Sequence, residues 1–379
     1  MILYDSAIEK HPFCSPDIVS NTWIEGNAVE QLESTAQFEG MVAAAGMPDI
    51  HPGKGGPVGA AFLSKALFYP HIIGNDAGCG MGFYQTTLKT KKMKKEKWAA
   101  ALPGFDDIRS EDTEQFLEDA GIQPGSCDEA LGTIGGGNHF AELQMVEQVV
   151  DDALFQTMGC DRKTLFLLIH SGSRGLGEAL YRGHTSRFGA KPLHDGTEES
   201  SLYLDKYTHA IKWAAVNRTL IAKRFMEQTG GQCDPILDLC HNSITKMEID
   251  GENYWLHRKG AAPFDAGPVI IPGSRGTLTY LVMPTSLQDE NLWSVAHGAG
   301  RKWNRSSCRG KLEGKWTLAS LKRTDLGGIV ICDDRDLLYE EAPQAYKKNE
   351  AVIDAMVLHG LIKVIATFRP VITYKTGSI

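Results

Sequence analysis

Six glycine-rich turns, each carrying polar side chains, interrupt the chain and constrain its fold more than any other feature. They are residues 47–62, 74–82, 132–140, 170–177, 272–277 and 297–301. Apolar segments flank them, and 164–170, 267–274 and 327–332 have the length and composition of buried strands. Linkers lack such flanking strands, so we expect the turns to be loops that strands deliver to one site.

Two further segments, 202–230 and 345–364, have the apolar spacing of amphipathic helices. In the first, apolar residues recur at i, i+3, i+4 and i+7, and Gly230 is the residue type that commonly ends a helix. The 379 residues contain no internal repeat, low-complexity tract or convincing linker. The pattern therefore predicts an α/β chain that forms a single domain over residues 1–379.

The charge balance sets a condition on the partners that the chain can bind. There are 39 basic and 47 acidic residues, a net charge of -8, so a partner of like charge, such as a nucleic acid, would have to be met by a local basic patch. Residues 88–98 hold six lysines. Phosphate-backbone binding is one interpretation of this run, and a solvated face or a strand edge protected by lysine is the other.

Cysteine usage and hydropathy bear on the compartment. The eight cysteines include no CxxC pair, and a chain of this size needs no disulfide framework, so we expect reduced thiols. The first residues are charged where a signal peptide needs an apolar core, and no apolar run reaches the length of about 18 residues typical of a membrane span. We therefore expect a cytoplasmic protein without a membrane partner.

Five side chains on the glycine-rich turns and strand ends have the chemistry of metal ligands. They are Asp76, Cys79, His139, His170 and His241. Each histidine alone is typical of a hydrogen-bonded structural histidine. Together, one carboxylate, one thiolate and three imidazoles suit a transition metal, and a thiolate can bridge two ions. Ligand type alone favours zinc.

A further histidine, His297, lies among cations. It is followed by glycines and by Arg301, Lys302 and Arg305, which could hold phosphates. An unshielded imidazole can act as a nucleophile and form a covalent phosphoramidate. A loop histidine that only caps a neighbouring group is the alternative. The turns containing GKGG and GTIGGGNHF match neither a P-loop nor a dinucleotide fingerprint, although their backbone N–H groups can face phosphates.

Ten motifs follow one another in order between about residues 41 and 377. They are MPDIHPGKGGPVG, GNDAGCGMG, GTIGGGNHFAEL, IHSGSRGLG, HNSI, HRKGAAP, VIIPGSRGTLTYLV, HGAGR, EAPQAYK and YKTG. Any one of them is a weak signal. The ordered set resembles the signature blocks of the RtcB family of RNA ligases. This resemblance implies an α/β (α+β) catalytic domain in which helices flank mixed β-sheets.

The resemblance also implies a reaction. Members of the family join RNA ends that carry a 2′,3′-cyclic phosphate or a 3′-phosphate to ends that carry a 5′-hydroxyl, using GTP and two Mn²⁺ ions. His297 would be the nucleophile that takes GMP from GTP and passes it to the RNA 3′-phosphate. Cys79 would bridge the two metals, and another divalent ion such as Zn²⁺ could occupy the sites in a crystal.

The remaining roles follow from the same resemblance. His170 and His241 would complete one metal site, and Asp76 and His139 the other. The guanine-nucleotide contacts would be Asn138, His139, Phe140, Glu142, Asn242, Pro272, Gly273, Ser274, Thr279, His297, Gly298, Ala299, Gly300, Tyr346 and Lys375. A carboxylate such as Glu142 suits guanine, which presents N1–H and N2–H donors that adenine lacks.

We expect RNA contacts first from Arg301, Lys302 and Arg305, and then from the lysines at 89–97.

The chain departs from the family pattern at several positions. The family usually has a hydrophobic residue in place of Asn75, Met in place of Arg275 and Ser in place of Thr279. The segments between motifs at 80–138 and 171–240 are also shorter than in typical family members. This compact form is similar to the subgroup coupled to peptide release factor H. That similarity implies repair of damaged translation RNA and a functional link to the release factor.

Two other functions stay open. The first is a metal-dependent enzyme that caps 3′-phosphates with guanylate, or hydrolyses phosphates, without sealing, because shorter segments remove surface that could hold RNA. The second is a non-catalytic RNA- or partner-binding protein with structural metals. Retention of the five ligand residues together with His297 argues against this second function.

Overall fold

A computed structural model of the protein describes residues 2–4, 23–106, 113–125, 127–285 and 291–377. Cys14 lies outside these residues, and the seven described cysteines form no disulfide. Within the described residues, no helix is long and apolar enough to cross a membrane.

The described chain contains seventeen strands. They are β1 (Ile2–Tyr4), β2 (Met41–His51), β3 (Val58–Lys65), β4 (Leu67–Phe68), β5 (Gly80–Lys89), β6 (Phe140–Val149), β7 (Thr164–Ser171), β8 (Leu193–His194), β9 (Cys233–Cys240), β10 (Asn242–Ile249), β11 (Glu252–Lys259), β12 (Ala261–Pro263), β13 (Val269–Ile271), β14 (Thr279–Pro284), β15 (Ser294–Ala296), β16 (Ile329–Cys332) and β17 (Ile362–Thr376).

Ten α-helices accompany these strands in the described parts of the chain. They are α1 (Gly26–Ala36), α2 (Lys95–Ala101), α3 (Thr113–Asp119), α4 (Asp152–Thr157), α5 (Gly175–Phe188), α6 (Glu198–Thr229), α7 (Arg305–Leu312), α8 (Leu318–Leu321), α9 (Arg335–Glu340) and α10 (Asn349–Leu358).

The strands form two large sheets and two ribbons. The larger sheet has the order β13-β14-β17-β6-β7-β5-β9, and β16 pairs parallel with β17. The other sheet has the order β1-β2-β3-β11-β10, and β12-β15 and β4-β8 are two-stranded ribbons. Helices pack against these sheets, so the expected α/β (α+β) class with mixed β-sheets is confirmed.

Strand β7 shows why the centre of the larger sheet is continuously apolar. Leu165, Leu167 and Ile169 pack with residues of α6 on one face, whereas Phe166 and Leu168 pack into a second cluster on the other face. Side chains alternate between the two faces of a strand, and both faces are covered here. The predicted strand at 164–170 is therefore confirmed as β7.

Helix α6 confirms the longer of the two predicted helices. It begins after Thr197, whose hydroxyl accepts a hydrogen bond from the Ser200 backbone N–H, and it ends at Gly230 in the left-handed conformation, with φ 76°. The predicted helix at 345–364 is too long. The structure has a helix only at Asn349–Leu358, because Gly360 at φ 64° breaks it and Ile362 begins β17.

The other predicted strands are shorter than the segments that suggested them. The segment at 267–274 is a strand only at Val269–Ile271, because Pro272 has no backbone N–H for further pairing and the chain turns there. The segment at 327–332 forms β16 from Ile329.

Four neighbouring strands of the larger sheet bring the proposed metal ligands to one edge. Cys79 immediately precedes β5 and His139 immediately precedes β6, whereas His170 lies near the end of β7 and His241 follows β9. These neighbours are antiparallel, with Met81 and Phe140 both opposite His170. The starts of two strands and the ends of the other two therefore meet at the same edge.

Adjacent residues of α6 fix the loops at that edge. The buried Arg218 donates from Nη1 to the carbonyl oxygens of Gly78 and Ser171, both at 2.9 Å, and its guanidinium is ion-paired with Asp238. Asn217 accepts from the Gly132 N–H at 2.7 Å and donates to Ser171 Oγ at 3.1 Å. One turn of helix thus holds three of the glycine-rich turns together.

Replacing Arg218 with Met should destabilise the protein strongly. Asp238 would lose its ion-pair partner and two carbonyl groups would lose their donor, so the free energy of unfolding should fall by about 3–5 kcal/mol. Urea denaturation of the purified protein measures this change.

The control is Arg162→Met, which breaks an exposed ion pair with Asp152. It should change the free energy of unfolding by less than about 1 kcal/mol. Equal losses in the two variants would contradict the role given to Arg218.

Candidate metal and nucleotide site

Cys79 lies at the centre of the five predicted metal ligands. Its Sγ is 3.1 Å from His170 Nε2 and 3.4 Å from His139 Nε2. On one side, His139 Nε2 lies 2.8 Å from Asp76 Oδ2. On the other side, His170 Nε2 lies 3.3 Å from His241 Nε2. The structure therefore brings all five side chains together, with the thiol between two pairs.

The orientation of the imidazoles fits a cation site. His139 Nδ1 faces the carbonyl oxygen of Ile134 at 3.1 Å, and His170 Nδ1 faces that of Asn138 at 3.2 Å. A proton on each Nδ1 would satisfy these carbonyl groups and leave the Nε2 atoms available to a metal ion. The Nε2 atoms of His170 and His241 also lie close enough together for both to bind one cation.

The donor set supports the same conclusion. Ligand atoms of Cys79, His139 and His170 all lie within 4.8 Å of one another, and the three residues are buried. Sulfur and imidazole nitrogen are the donors that borderline transition metals prefer. The residues present therefore fit a metal ion.

Burial controls the protonation of these ligands. It raises the pKa of the Cys79 thiol well above its usual range, and the nearby Asp76 carboxylate adds to this rise. Burial also lowers the pKa of His170 and of His241 well below the usual range. For Asp76, burial acts to raise the pKa, but the His139 imidazole reverses this and holds it below the usual value. Metal binding would thus meet neutral imidazoles at His170 and His241 and release the thiol proton of Cys79.

His297 is oriented by a buried carboxylate. Its Nδ1 lies 2.8 Å from Asp49 Oδ2, and its backbone N–H donates to the same oxygen at 3.3 Å. Asp49 is 0% exposed. A Cβ at Gly300 would lie 2.1 Å from the Asp49 carbonyl oxygen, so only glycine lets the two segments approach so closely. With Nδ1–H donated to Asp49, Nε2 keeps a free lone pair beside the ligands, since the His297 and His241 ring centroids are 4.7 Å apart.

Most of the predicted site residues line one cavity of about 860 Å³. They are Asp76, Cys79, Asn138, Phe140, Glu142, His170, His241, Asn242, Pro272, Gly273, Ser274, His297, Gly298, Ala299, Gly300, Arg301, Lys302, Arg305, Tyr346 and Lys375. His139 and Thr279 are not among the lining residues. The side chain of Asn242 lies between two loops, donating to the Asp76 carbonyl oxygen and accepting from the Gly260 N–H.

One end of the cavity holds the carboxyl group of Glu142. It accepts hydrogen bonds from Thr373 and from Gln144 Nε2, and Gln144 also donates to Thr279 Oγ1 at 2.8 Å. Thr279 is therefore linked through Gln144 to Glu142 and does not itself line the cavity. Burial raises the pKa of Glu142 to about 7, although these hydrogen bonds and Lys375 oppose the rise. A ligand with paired N–H donors would favour the ionised carboxylate.

Glu341 is the common partner of three cations that line the same cavity. Arg301, Arg305 and Lys375 place their nitrogen atoms 3.1, 3.4 and 3.3 Å from its oxygens, and the Tyr346 hydroxyl donates to it. Burial acts to raise the pKa of Glu341, but the three cations lower it to about 2. Glu341 and Asp49 could not be singled out from the sequence, although both belong to the ordered motifs, because their partners lie far away along the chain.

The three cations expected to contact RNA differ in their surroundings. The Arg301 side chain is 14% exposed and also donates to the Glu340 carbonyl oxygen. Arg305 is half-buried between Glu341 and Asn138. Lys302 is exposed. The lysines at 89–97 begin at the far end of β5, about 30 Å from Cys79 at ~3.3 Å per residue.

Two departures from the family pattern have structural partners. Asn75 donates to Glu178 Oε2 at 2.7 Å, which joins the Cys79 loop to α5. Arg275 is buried and donates to the Leu338 carbonyl oxygen at 2.9 Å.

Comparison with known proteins is consistent with this geometry. Residues 31–111 and 109–376 match the family model described as tRNA-splicing ligase RtcB. The chain is 46% identical over 356 residues to the RNA-splicing ligase RtcB2 of Escherichia coli, an alignment covering 94% of this chain and 93% of that protein. The protein belongs to the RtcB family.

Archaeal relatives are more distant. The chain is 30% identical to the tRNA-splicing ligase RtcB of Archaeoglobus fulgidus, over 92% of this chain and 90% of that protein. It is 28% identical to the protein of the same name from Nanoarchaeum equitans, over 87% of each. The first alignment has 442 positions, more than the 379 residues of this chain, so that relative contains segments that this chain lacks.

Cys79→Ala should remove the sulfur ligand from the metal site. Co²⁺ bound by a thiolate gives an intense near-ultraviolet charge-transfer absorption, and we expect titration of the wild type with Co²⁺ to produce it. The variant should lack the band and bind the ion at least 10-fold more weakly. Cys160→Ala is the control, because Cys160 is buried outside the cluster. A band that persists in Cys79→Ala would contradict the assignment.

Glu142 should make folding stability depend on pH. Its pKa of about 7 exceeds the ordinary 4.5, so the folded state favours the protonated carboxyl. Its contribution is complete below pH 4.5 and is lost as the pH rises to 7, amounting to about 3 kcal/mol at ~1.4 kcal/mol per unit. Comparing urea denaturation of wild type and Glu142→Gln at pH 5 and pH 8 measures it.

The exposed Glu147 on the same strand supplies the matched control, since Glu147→Gln removes only an exposed ion pair with Arg369 and should change the free energy of unfolding by less than about 1 kcal/mol at both pH values. A pH-independent difference for Glu142→Gln would show that this carboxyl has an ordinary pKa.

Proposed function

We propose that the protein is a GTP-dependent RNA ligase that joins 2′,3′-cyclic phosphate or 3′-phosphate ends to 5′-hydroxyl ends. The observation that carries the proposal is the position of His297. Its Nε2 is free while Asp49 holds Nδ1, and it shares one cavity with the metal-ligand cluster and the Glu142 pocket. Membership of the RtcB family, and relatives named RNA-splicing and tRNA-splicing ligases, support the same reaction.

His297 begins the reaction as the nucleophile. Its Nε2 lone pair attacks the α-phosphorus of GTP, an N–P bond forms, and pyrophosphate leaves. The imidazole then carries positive charge, which the Asp49 carboxylate stabilises through the Nδ1–H hydrogen bond. The buried position of Asp49 holds the ring in the tautomer that exposes Nε2.

The guanylate then passes to RNA. An oxygen of the RNA 3′-phosphate attacks the phosphorus bound to His297, and the imidazole leaves. The 5′-hydroxyl next attacks the activated 3′-phosphate, forming the phosphodiester bond and releasing GMP. A cyclic phosphate first needs a water molecule to open it. These are in-line displacements, so the cavity must align each nucleophile with its leaving group.

The cavity walls supply the selectivity for guanine. Glu142 lines the cavity and would accept from the N1–H and N2–H donors of a guanine, and Lys375 lies close enough to influence its pKa. The turn at 298–300 presents backbone groups to the phosphates beside His297.

Two Mn²⁺ ions are the proposed cofactors. Cys79 would be shared, with Asp76 and His139 completing one site and His170 and His241 the other, as the two pairs around the thiol suggest. Such ions neutralise phosphate charge and align reacting groups. Zn²⁺ or another divalent ion would fit the same donors.

The biological setting is a further part of the proposal. We propose that residues 1–379 act as one catalytic unit in cytoplasmic RNA repair, with a functional link to release factor H. Lys302 and Arg305 would contact RNA near the reaction centre, and the lysines at 89–97 would contact flanking RNA about 30 Å away.

Ligation of a nicked stem-loop tests the function. The substrate carries cyclic-phosphate and 5′-hydroxyl ends, and the reaction contains GTP and Mn²⁺. The wild type should join the strands, whereas His297→Ala and Cys79→Ala should lose at least about 10³-fold in rate. Asp49→Asn should lose about 10²-fold or more, because Nδ1 loses its charged partner.

Labelled GTP separates the alternative reactions. Covalent labelling of the wild type but not of His297→Ala supports the nucleotidyl route, and labelling without joining indicates a capping enzyme. Phosphate release without labelling indicates a hydrolase. Joining that survives in both His297→Ala and Cys79→Ala would contradict the proposal. His359→Ala, at an exposed histidine outside the cavity, is the matched control and should keep full activity.

A further inference from the structure

Trp303 lies at the wall of the reaction cavity without a role in the steps above. Its partly exposed indole lines the same cavity as His297. The backbone is fixed there, because the N–H groups of Lys302 and Trp303 both donate to the Ala345 carbonyl oxygen and Arg301 Nε donates to the Trp303 carbonyl oxygen. The remainder of the ring packs against a small apolar cluster that includes Leu312 and Leu321. The indole is therefore held rigidly at an open surface.

Two ammonium groups converge on this indole. Lys311 Nζ lies 4.7 Å from the ring centroid and Lys302 Nζ lies 5.6 Å from it. Both lysines are exposed, and neither ammonium has an ion pair among the described residues. Neighbouring Arg305 and Arg309, in contrast, are paired with glutamates. The two ammonium groups repel each other at this ring, and an anion bound between them would be attracted to both.

The start of α7 adds a second group of anion donors. Asn304 is its N-terminal flanking residue and makes no side-chain capping bond, and Asn304, Arg305 and Ser306 all line the cavity. Backbone N–H groups in the first turn of a helix favour phosphate. An aromatic face, two unpaired ammonium groups and a helix start thus adjoin one another beside His297.

We infer that Trp303, with Lys302 and Lys311, is a stacking platform for the RNA nucleotide next to the reacting phosphate. The two ammonium groups move from the ring to the adjoining phosphates, and the indole face that they leave takes the terminal base. Aromatic side chains beside cations bind single-stranded ends in this way, because every base has a π-face while the charges follow the backbone. The inference rests on the proposed RNA substrate and specifies how the end is held.

Removal of a single base tests the platform. The affinity for an RNA with a 3′-phosphate is measured by fluorescence anisotropy without GTP, for an intact strand and for one whose last nucleotide is abasic. A second pair of strands with 5′-hydroxyl ends, intact or abasic at the first nucleotide, shows which end is held. In the wild type, loss of the base at the held end should weaken binding about 5- to 150-fold, the effect of one base–aromatic stack.

The variants assign that effect to Trp303. Trp303→Ala should bind intact and abasic strands equally, and Trp303→Phe should keep most of the difference. Trp316→Ala is the control, because Trp316 packs against the same apolar cluster but does not line the cavity. It should show the wild-type difference. Lys311→Gln should keep the base effect and reduce the slope of log affinity against log salt by about 1.

Several outcomes would overturn the platform. They are a wild type indifferent to the base at both ends, a base effect that persists unchanged in Trp303→Ala, and an equal loss of RNA and GTP affinity in that variant. Labelling with GTP on the same preparations separates this test from the proposed function. Labelled protein without a base effect contradicts the platform alone, whereas a base effect without labelling contradicts the nucleotidyl mechanism alone.

Discussion

The arrangement of the site depends on the ion pair and the hydrogen bonds of the Arg218 guanidinium. It lies inside the protein, ion-paired with Asp238 at the end of β9, and donates to the backbone before Cys79 and after His170. Those loops carry many glycines and have little side-chain packing of their own. The buried guanidinium of Arg218 needs an acceptor for each of its N–H donors, and few loop arrangements provide them. Arg218 and the antiparallel strand ends therefore determine the geometry of the metal ligands.

Charge inside the cavity is distributed in a way that suits successive phosphoryl transfers. The ligand cluster, His297 and the cations around Glu341 line one cavity, and the buried Asp49 holds Nδ1 of His297. The protein as a whole carries a net charge of -8. The proposed RNA substrate would therefore be attracted locally, where Lys302 and Arg305 line the cavity and Lys311 lies against the Trp303 ring. Under the proposed function, this local positive charge allows an acidic protein to bind RNA at one site.

Features that depend on local residue patterns or on the chemistry of single side chains could be predicted from the sequence. The strand at 164–170 and helix α6 with its Gly230 end could be predicted, since apolar periodicity appears directly in the chain. The ligand chemistry of Asp76, Cys79 and the three histidines could also be recognised, whereas their convergence on one cluster is a property of the folded structure.

Contacts between distant segments could not be predicted in the same way. Asp49 meets His297 across 248 residues, and Glu341 pairs with cations from two motifs and from the start of α7. The helix expected at 345–364 ended early because a single glycine at positive φ outweighs a favourable apolar pattern. The identity of the metal could not be predicted either, because these ligand types suit zinc as well as manganese.

The central claim is that Cys79 is shared by two metal ions facing His297. Anomalous diffraction at the manganese absorption edge, from crystals grown with Mn²⁺, tests it directly. The account predicts two peaks, one on each side of Cys79 Sγ, the first near Asp76 and His139 and the second near His170 and His241. A single peak, or ions bound elsewhere while Cys79 has no metal neighbour, would contradict it.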